Sequence, residues 1–199
     1  MRYSTREMVT VAVFGTVWGA VEMSLGSLLH MLNVPQAGTF LAAVGIVILL
    51  TGHTLVPRRG AVLLMGLTAA FVKMFSLGGI VINPMLAIVM EAALTEAGLR
   101  LAGSGRGAFL LAGVLGSSWN FVHPFLTQGL LAGWGMVRVY RWLVHGAEQL
   151  FGLPEGYGWL VLGLLLGLKV IAGLVAGYLG WEVSRAVLRR RGVPEPATG

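Results

Sequence analysis

The sequence predicts an all-α, polytopic membrane protein with six transmembrane helices and both termini cytoplasmic. Three observations carry that expectation. The 199-residue chain is 56% hydrophobic and only 11% charged, with no Asp at all. A water-soluble fold needs a charged exterior, whereas a bilayer replaces it with lipid and makes each exposed charge costly. The apolar stretches fall into lengths near the roughly 20 residues that a span requires, with room for about six of them. Finally, most of the 14 Lys and Arg residues gather at four places: Arg2/Arg6, Arg58/Arg59, Arg100/Arg106 and Arg185/Arg189/Arg190/Arg191. Alternating connections poor in Arg and Lys separate these clusters, so the positive-inside rule puts the clusters on the cytoplasmic side.

The elements follow in order within one domain, residues 1–193. The first helix is expected over about 8–32 and ends in the turn Asn33-Val34-Pro35-Gln36; the second, over about 38–56, stops at Pro57-Arg58-Arg59. A third over about 60–77 ends at Gly78-Gly79, and a fourth over about 84–101 starts at Pro84, a residue suited to a first helical turn. Gly103-Ser104-Gly105 makes the next turn, the fifth helix covers about 107–131 with Pro124 inside it, and the sixth covers about 158–190. Residues 134–157 form the longest connection, an external loop. Its Tyr140, Trp142, Arg138 and Arg141 suit a helix lying at the headgroup level. The tail, 194–199, is expected to be disordered.

Several functions are disfavoured by composition. The net charge of +6 comes from arginines at loop edges, which topology explains, and no basic strip interleaved with aromatics suggests nucleic acid. Without Cys there is no disulfide, Cys-ligated zinc or iron–sulfur cluster. The four His, at 30, 53, 123 and 145, lack a ligand spacing, so no metal or other cofactor is expected. Arg2 and Arg6 before an apolar run resemble a signal peptide, but the run outlasts an h-region and lacks a small-x-small cleavage site, so a retained helix is expected. There is no GxSxG, HExxH or phosphate-binding Gly loop, and no fixed-period repeat. The chain is not expected to be an enzyme or to hydrolyse nucleotide by itself.

Ionisable groups inside a bilayer tend to face the bundle interior and mark a site or pathway. Glu22, Lys73, Glu91, His123 and Lys169 fall in the middle or external half of five different helices. Two carboxylates and two ammonium groups suggest internal neutralisation, as Glu22 with Lys73 and Glu91 with Lys169 or with the partners exchanged. The same pairs could simply lock helix packing. Glu96, four residues before Arg100, reads as an interfacial helix pair.

The fifth helix carries the densest polar string, Ser117-Ser118-Trp119-Asn120-Phe121-Val122-His123-Pro124, then Thr127-Gln128. Trp119 and His123 share a face, and Pro124 clashes with the carbonyl of Asn120, so a kink or unwinding is expected. Polar side chains with irregular backbone at membrane depth suit a lined cavity. The alternative is a kink stabilised by its own Ser and Asn. The first helix has a second polar line, Trp18, Glu22, Gly26 and His30. A Trp beside a Glu can hold a cationic or hydrogen-bonding heterocycle, or Trp18 can face lipid while Glu22 pairs with Lys73. The same helix carries a small-residue face, Ala12, Gly15, Thr16, Gly19 and Ala20, able to meet another helix of this chain or a partner subunit.

Three features together resemble the substrate-binding S component of energy-coupling factor transporters. They are the lead Arg6-Glu7-Met8 into a helix with Ala12, Thr16 and Ala20; the run Pro57-Arg58-Arg59-Gly60-Ala61 with Gly66, Ala69, Ala70, Lys73, Pro84, Ala87 and Glu91; and the Trp/Asn/His set of the fifth helix. The resemblance spans nearly the whole chain on loose motifs. It implies a vitamin-capture subunit working with a membrane coupling subunit and two cytoplasmic ATPases, with Ala12, Thr16 and Ala20 as contacts. Glu91, Trp119, Asn120 and His123 are then the pocket residues, of types that look like those used for thiamine or its pyrimidine precursor. Nickel and cobalt members have His after the initiator Met; Arg2 stands there, which speaks against metal uptake. Two other classes remain in view, a structural subunit of a larger membrane complex and a small proton-coupled carrier using Glu22 and Glu91.

Overall fold

A computed structural model describes residues 3–76, 82–103, 105–131, 133, 135–152, 154 and 157–192. The expected Gly78-Gly79 stop, Ser104 of the following turn and the 194–199 tail lie outside these residues. The described elements are helical: α1 (Thr5–Met31), α2 (Ala37–Leu55), α3 (Ala61–Lys73), α4 (Ile82–Ala102), α5 (Arg106–Pro124), a π-helical segment (Phe125–Leu131), α6 (Met136–Phe151) and α7 (Gly158–Arg190). Four stretches, Thr5–Leu29, Ala37–Leu55, Arg106–Thr127 and Leu160–Arg190, are long and apolar enough to cross a membrane. The other two expected spans are weaker. α3 has only 13 residues, about 20 Å at 1.5 Å per residue, and α4 has the length but carries Glu91, Glu96 and Arg100.

Local chemistry explains the helix ends. Ser4 and Glu7 form a capping box: Ser4 N–H donates to Glu7 Oε2 at 2.7 Å, and Glu7 N–H to Ser4 Oγ at 3.3 Å. Glu7 also pairs with Arg58, and Tyr3 donates to the Arg59 carbonyl at 2.8 Å, fixing the start of α1 to the α2–α3 turn. Glu96 does more than the expected pairing with Arg100. Its carboxylate also accepts from the backbone N–H groups of Gly60 and Leu63, so it caps α3 from another helix. Beyond Pro124 the chain does not merely kink but continues as a π-helix, a way of absorbing the missing donor.

Glycine contacts set the packing. α1 and α3 run parallel, with Gly15 against Met65 and Thr68 and Gly19 against Ala69 and Val72. α5 and α7 run antiparallel and touch backbone to backbone: a Cβ on Gly173 would stand 2.7 Å from Val114 Cα, and one on Gly177 2.9 Å from Leu110 Cα. α4 and α5 are also antiparallel, with Gly98 against Ala112 and Gly116 against Thr95. These close approaches bring the Arg-rich helix ends to one end of the bundle and Glu22, Lys73, Asn120 and Lys169 toward the other. The core between them includes Trp18, Ile46, Leu49, Leu50, Met65 and Ile88.

Only some of the sequence's GxxxG pairs therefore matter. Gly173→Val should destabilise the detergent-solubilised protein by about 3 kcal/mol, the upper range for overpacking. Gly167→Ala, where a Cβ meets nothing within 4 Å, should leave the thermal midpoint unchanged. Equal effects of the two substitutions in a thermal-unfolding assay would contradict this packing.

Candidate functional site

The polar layer at the end opposite the arginines is built from six elements. On α4, Glu91 is 4% exposed, and its Oε1 accepts a hydrogen bond from Asn120 Nδ2 of α5 at 2.9 Å. The antiparallel register makes this contact: Gly98 meets Ala112, Thr95 meets Gly116, and one turn further Glu91 meets Asn120. On α7, the buried Lys169 donates to Gln36 Oε1 and Thr39 Oγ1, both at the start of α2. On α3, Lys73 donates to the backbone carbonyl of Glu22 and holds its carboxylate at 3.8 Å.

Of the pairings open from sequence, Glu22 with Lys73 is made. Glu91 and Lys169 instead take neutral partners, Asn120 on one side and Gln36 with Thr39 on the other. Thr39 in turn donates to Gln36 Oε1 at 3.1 Å, so the amide oxygen serves two donors. Gly26 allows the Lys73 ammonium to fit, because a Cβ there would stand 3.3 Å from Nζ. Asn120 also reaches α2, its Oδ1 lying beside Gly38.

Trp119 and His123 stack loosely along α5, with ring centroids 5.9 Å apart and planes tilted by 55°. Trp119 Nε1 and His123 Nδ1 are both buried without a hydrogen-bond partner. So is Asn83 Oδ1 in the first turn of α4, which the register carries to the level of the π-helical segment. Buried polar atoms in a folded protein are nearly always satisfied, so these three call for a partner, as do Trp18 Nε1, Thr95 Oγ1 and Ser117 Oγ deeper in the bundle. They put two ring nitrogens on α5 and one amide oxygen on α4 at the end of the bundle that also holds Glu91 and Lys169. Such a set can hold a flat, polar heterocycle by stacking and hydrogen bonding.

Two expectations require correction. Trp18 neither lines this layer nor faces lipid. It is fully buried, its indole lying against Gly45 of α2, because the missing Cβ leaves a slot that the ring fills. Gly15 and Gly19 cannot serve a partner, since α3 already occupies their face; Ala12, Thr16 and Ala20 on the adjoining face are exposed. The His30 side chain, fourth in the polar line of the first helix, lies outside the described part. Sequence reasoning missed Gln36, Thr39 and Asn83. Gln36 was read only as part of a turn, yet it adopts a left-handed conformation with φ of 60°, as does Asn33 at 51°. The Pro35-Gln36 stop was the available signal, because a polar residue just ahead of a helix at membrane depth must find partners.

The chain matches no protein-family model, no curated protein and no solved structure. The site's chemistry is therefore carried by its own residues.

Asn120→Leu should cost about 2 kcal/mol by leaving the Glu91 carboxylate without its donor. Adding Glu91→Leu should restore roughly half of that loss, the signature of directly coupled neighbours. A double-mutant cycle on thermal unfolding checks the coupling, and strict additivity would rule out the bond as a stabilising contact.

Proposed function

We propose that this chain is the substrate-capture subunit of an energy-coupling-factor-type vitamin uptake transporter. It would sit in the cell membrane with six spans and both termini cytoplasmic, and would bind a small heterocyclic vitamin or precursor, thiamine-like, from outside. The observation that carries the reading is the set of orphaned donors and acceptors, Trp119 Nε1, His123 Nδ1 and Asn83 Oδ1, at the end of the bundle that also holds the buried Glu91. The neighbouring Lys169, Gln36 and Thr39 bond one another, whereas these three atoms take no such bond.

In this reading Trp119 stacks on the ring, and His123 and Asn83 bond its polar edge. Asn120 presents one Glu91 oxygen and leaves the other to counter positive charge on the ligand. A Lys has three donors and Lys169 uses two, so one remains for an acceptor. Lys73 and Glu22 shape the wall through their mutual pairing. The basic end would face a membrane coupling subunit and two cytoplasmic ATPases, whose hydrolysis would drive release. The exposed Ala12, Thr16 and Ala20 stripe gives such a subunit a close approach. The structural-subunit reading draws on the satisfied Glu22/Lys73 and Lys169/Gln36/Thr39 groups, and the carrier reading on the two carboxylates.

Calorimetry with thiamine and its pyrimidine precursor, together with mass spectrometry of small molecules released on denaturation, tests the assignment. Trp119→Ala and Glu91→Gln should each weaken binding by at least about 10-fold, as expected when a stacking platform or a charge-assisted bond is lost. A structural subunit would hold no ligand and lose stability in Glu91→Gln. A proton-coupled carrier would instead lose the pH dependence of transport. On the partner side, Thr16→Trp should abolish co-purification of a coupling subunit while leaving the thermal midpoint unchanged, and unaltered co-purification would remove this face from the interface.

A further inference from the structure

At the opposite, arginine-rich end, a second built site lies apart from the polar layer. A cavity of about 270 Å³ opens between the ends of α2, α4 and α7 and the start of α5. Its walls are apolar, with Leu99, Phe109, Trp181 and Leu188, and Phe109 meets Trp181 edge to face at 5.2 Å between centroids. Its polar side chains are few: Thr54 bonds the Leu50 carbonyl, and the others can meet an anion. Ser184 is 2% exposed, lines the cavity, and has no partner for its Oγ. His53 also lines it, with a buried Nδ1 that has no partner. Arg185 completes the wall and pairs with Glu182 at 3.8 Å.

The backbone adds to this. Gly105 lines the cavity at the N-cap of α5, a helix of 19 residues whose first turn takes no cap from the Gly105 position, which has no side chain to offer. Uncapped N–H groups and the helix dipole make such an end a place for negative charge. The nearby acid Glu96 does not compete, because Arg100 and the α3 N-terminus already hold it. An apolar wall with anion-seeking groups at one rim, in a helix bundle rich in arginine at that end, matches a group that is part phosphate and part hydrocarbon.

We infer that this cavity binds the phosphate group of an anionic amphiphile, a membrane phospholipid in the first instance. Ser184, His53 and Arg185 would meet the phosphate oxygens at the uncapped start of α5, and the Phe109/Trp181 wall would take the adjoining methylenes. The site is independent of whatever occupies the polar layer.

Native mass spectrometry of the full chain in a neutral detergent provides the test, with phosphatidylglycerol and phosphatidylcholine of identical acyl chains in competition. The wild type should retain one phosphatidylglycerol with about 10-fold preference, as expected for charge-assisted hydrogen bonds. Arg185→Gln should bring the two lipids near parity, and Ser184→Ala should lower the preference about 3-fold, the scale of one neutral hydrogen bond. Arg190→Gln, at an exposed position beyond the cavity, should change nothing. Inorganic phosphate forms the second arm. If millimolar phosphate displaces the lipid, a soluble phosphate ester is the natural occupant; if it does not, the lipid is. Equal retention of both lipids by the wild type, or an equal loss from Arg185→Gln and Arg190→Gln, would overturn the assignment. Should Arg185→Gln fail to fold, Ser184→Ala decides, and an unchanged preference there counts against the site.

Discussion

The bundle depends on the backbone contact between α5 and α7 at Gly113, Gly173 and Gly177. In lipid there is no hydrophobic drive between apolar helices, so close packing through small residues must supply the association. This one crossing sets the depth of everything polar on both helices. Lys169 lies one turn from Gly173, and Asn120 two turns from Gly113, so both arrive at the same end of the bundle. In the other direction, Phe109 and Trp181 meet across the same pair of helices. A side chain at Gly173 would therefore disturb two distant sites as well as the seam.

Charge is handled differently at the two ends. Toward the arginine-rich end, pairs such as Glu7 with Arg58 and Arg185 with Glu182 are partly exposed and contribute little individually. Glu96 is the exception, since its buried carboxylate joins α4 to the start of α3. In the polar layer the side chains of Glu22 and Lys73 are each only 10% exposed. There the desolvation cost is offset only where hydrogen bonds supplement the ion pair, which is why Lys73 also takes a backbone carbonyl. Lys169 follows the same logic with a neutral amide and a hydroxyl. Its arrangement leaves Glu91 without a directly bonded counterion among the described residues.

Much of the fold was legible because helix punctuation is local. Pro57, Pro84 and the arginine clusters mark ends through missing donors, fixed φ and lipid-facing charge cost, and the sixth expected span coincides with α7. The polar layer was legible too, since an ionisable residue inside an apolar run stands out without any partner being known. What stayed hidden depends on rotation about helix axes. Trp18 and Glu22 sit on one line of α1, yet a single missing Cβ at Gly45 draws the indole into the core. Gly163/Gly167 and Gly173/Gly177 are indistinguishable as sequence, and among the described residues only the second pair meets a neighbour. Asn83 gave no signal because its level follows from the α4/α5 register, a long-range property.

The continuity of α7 ties the two polar regions together. From Lys169 to Arg185 the chain is one unbroken helix, and 16 residues at 1.5 Å each span about 24 Å. That is close to the roughly 30 Å hydrocarbon thickness of a bilayer. Ile171, Leu174, Val175 and Leu179 are exposed between these two positions, while Lys169 itself is buried. Lys169 is buried well inside α7 and bonded to Gln36 and Thr39, so its depth is set by α2, and the Gly173/Gly177 seam passes that depth to α5. The orphaned groups of α5 are thus held at the level of Lys169 by this seam and by the Asn120–Glu91 bond to α4. This explains how Trp119 and His123 can keep their ring nitrogens unpartnered and still stay in place.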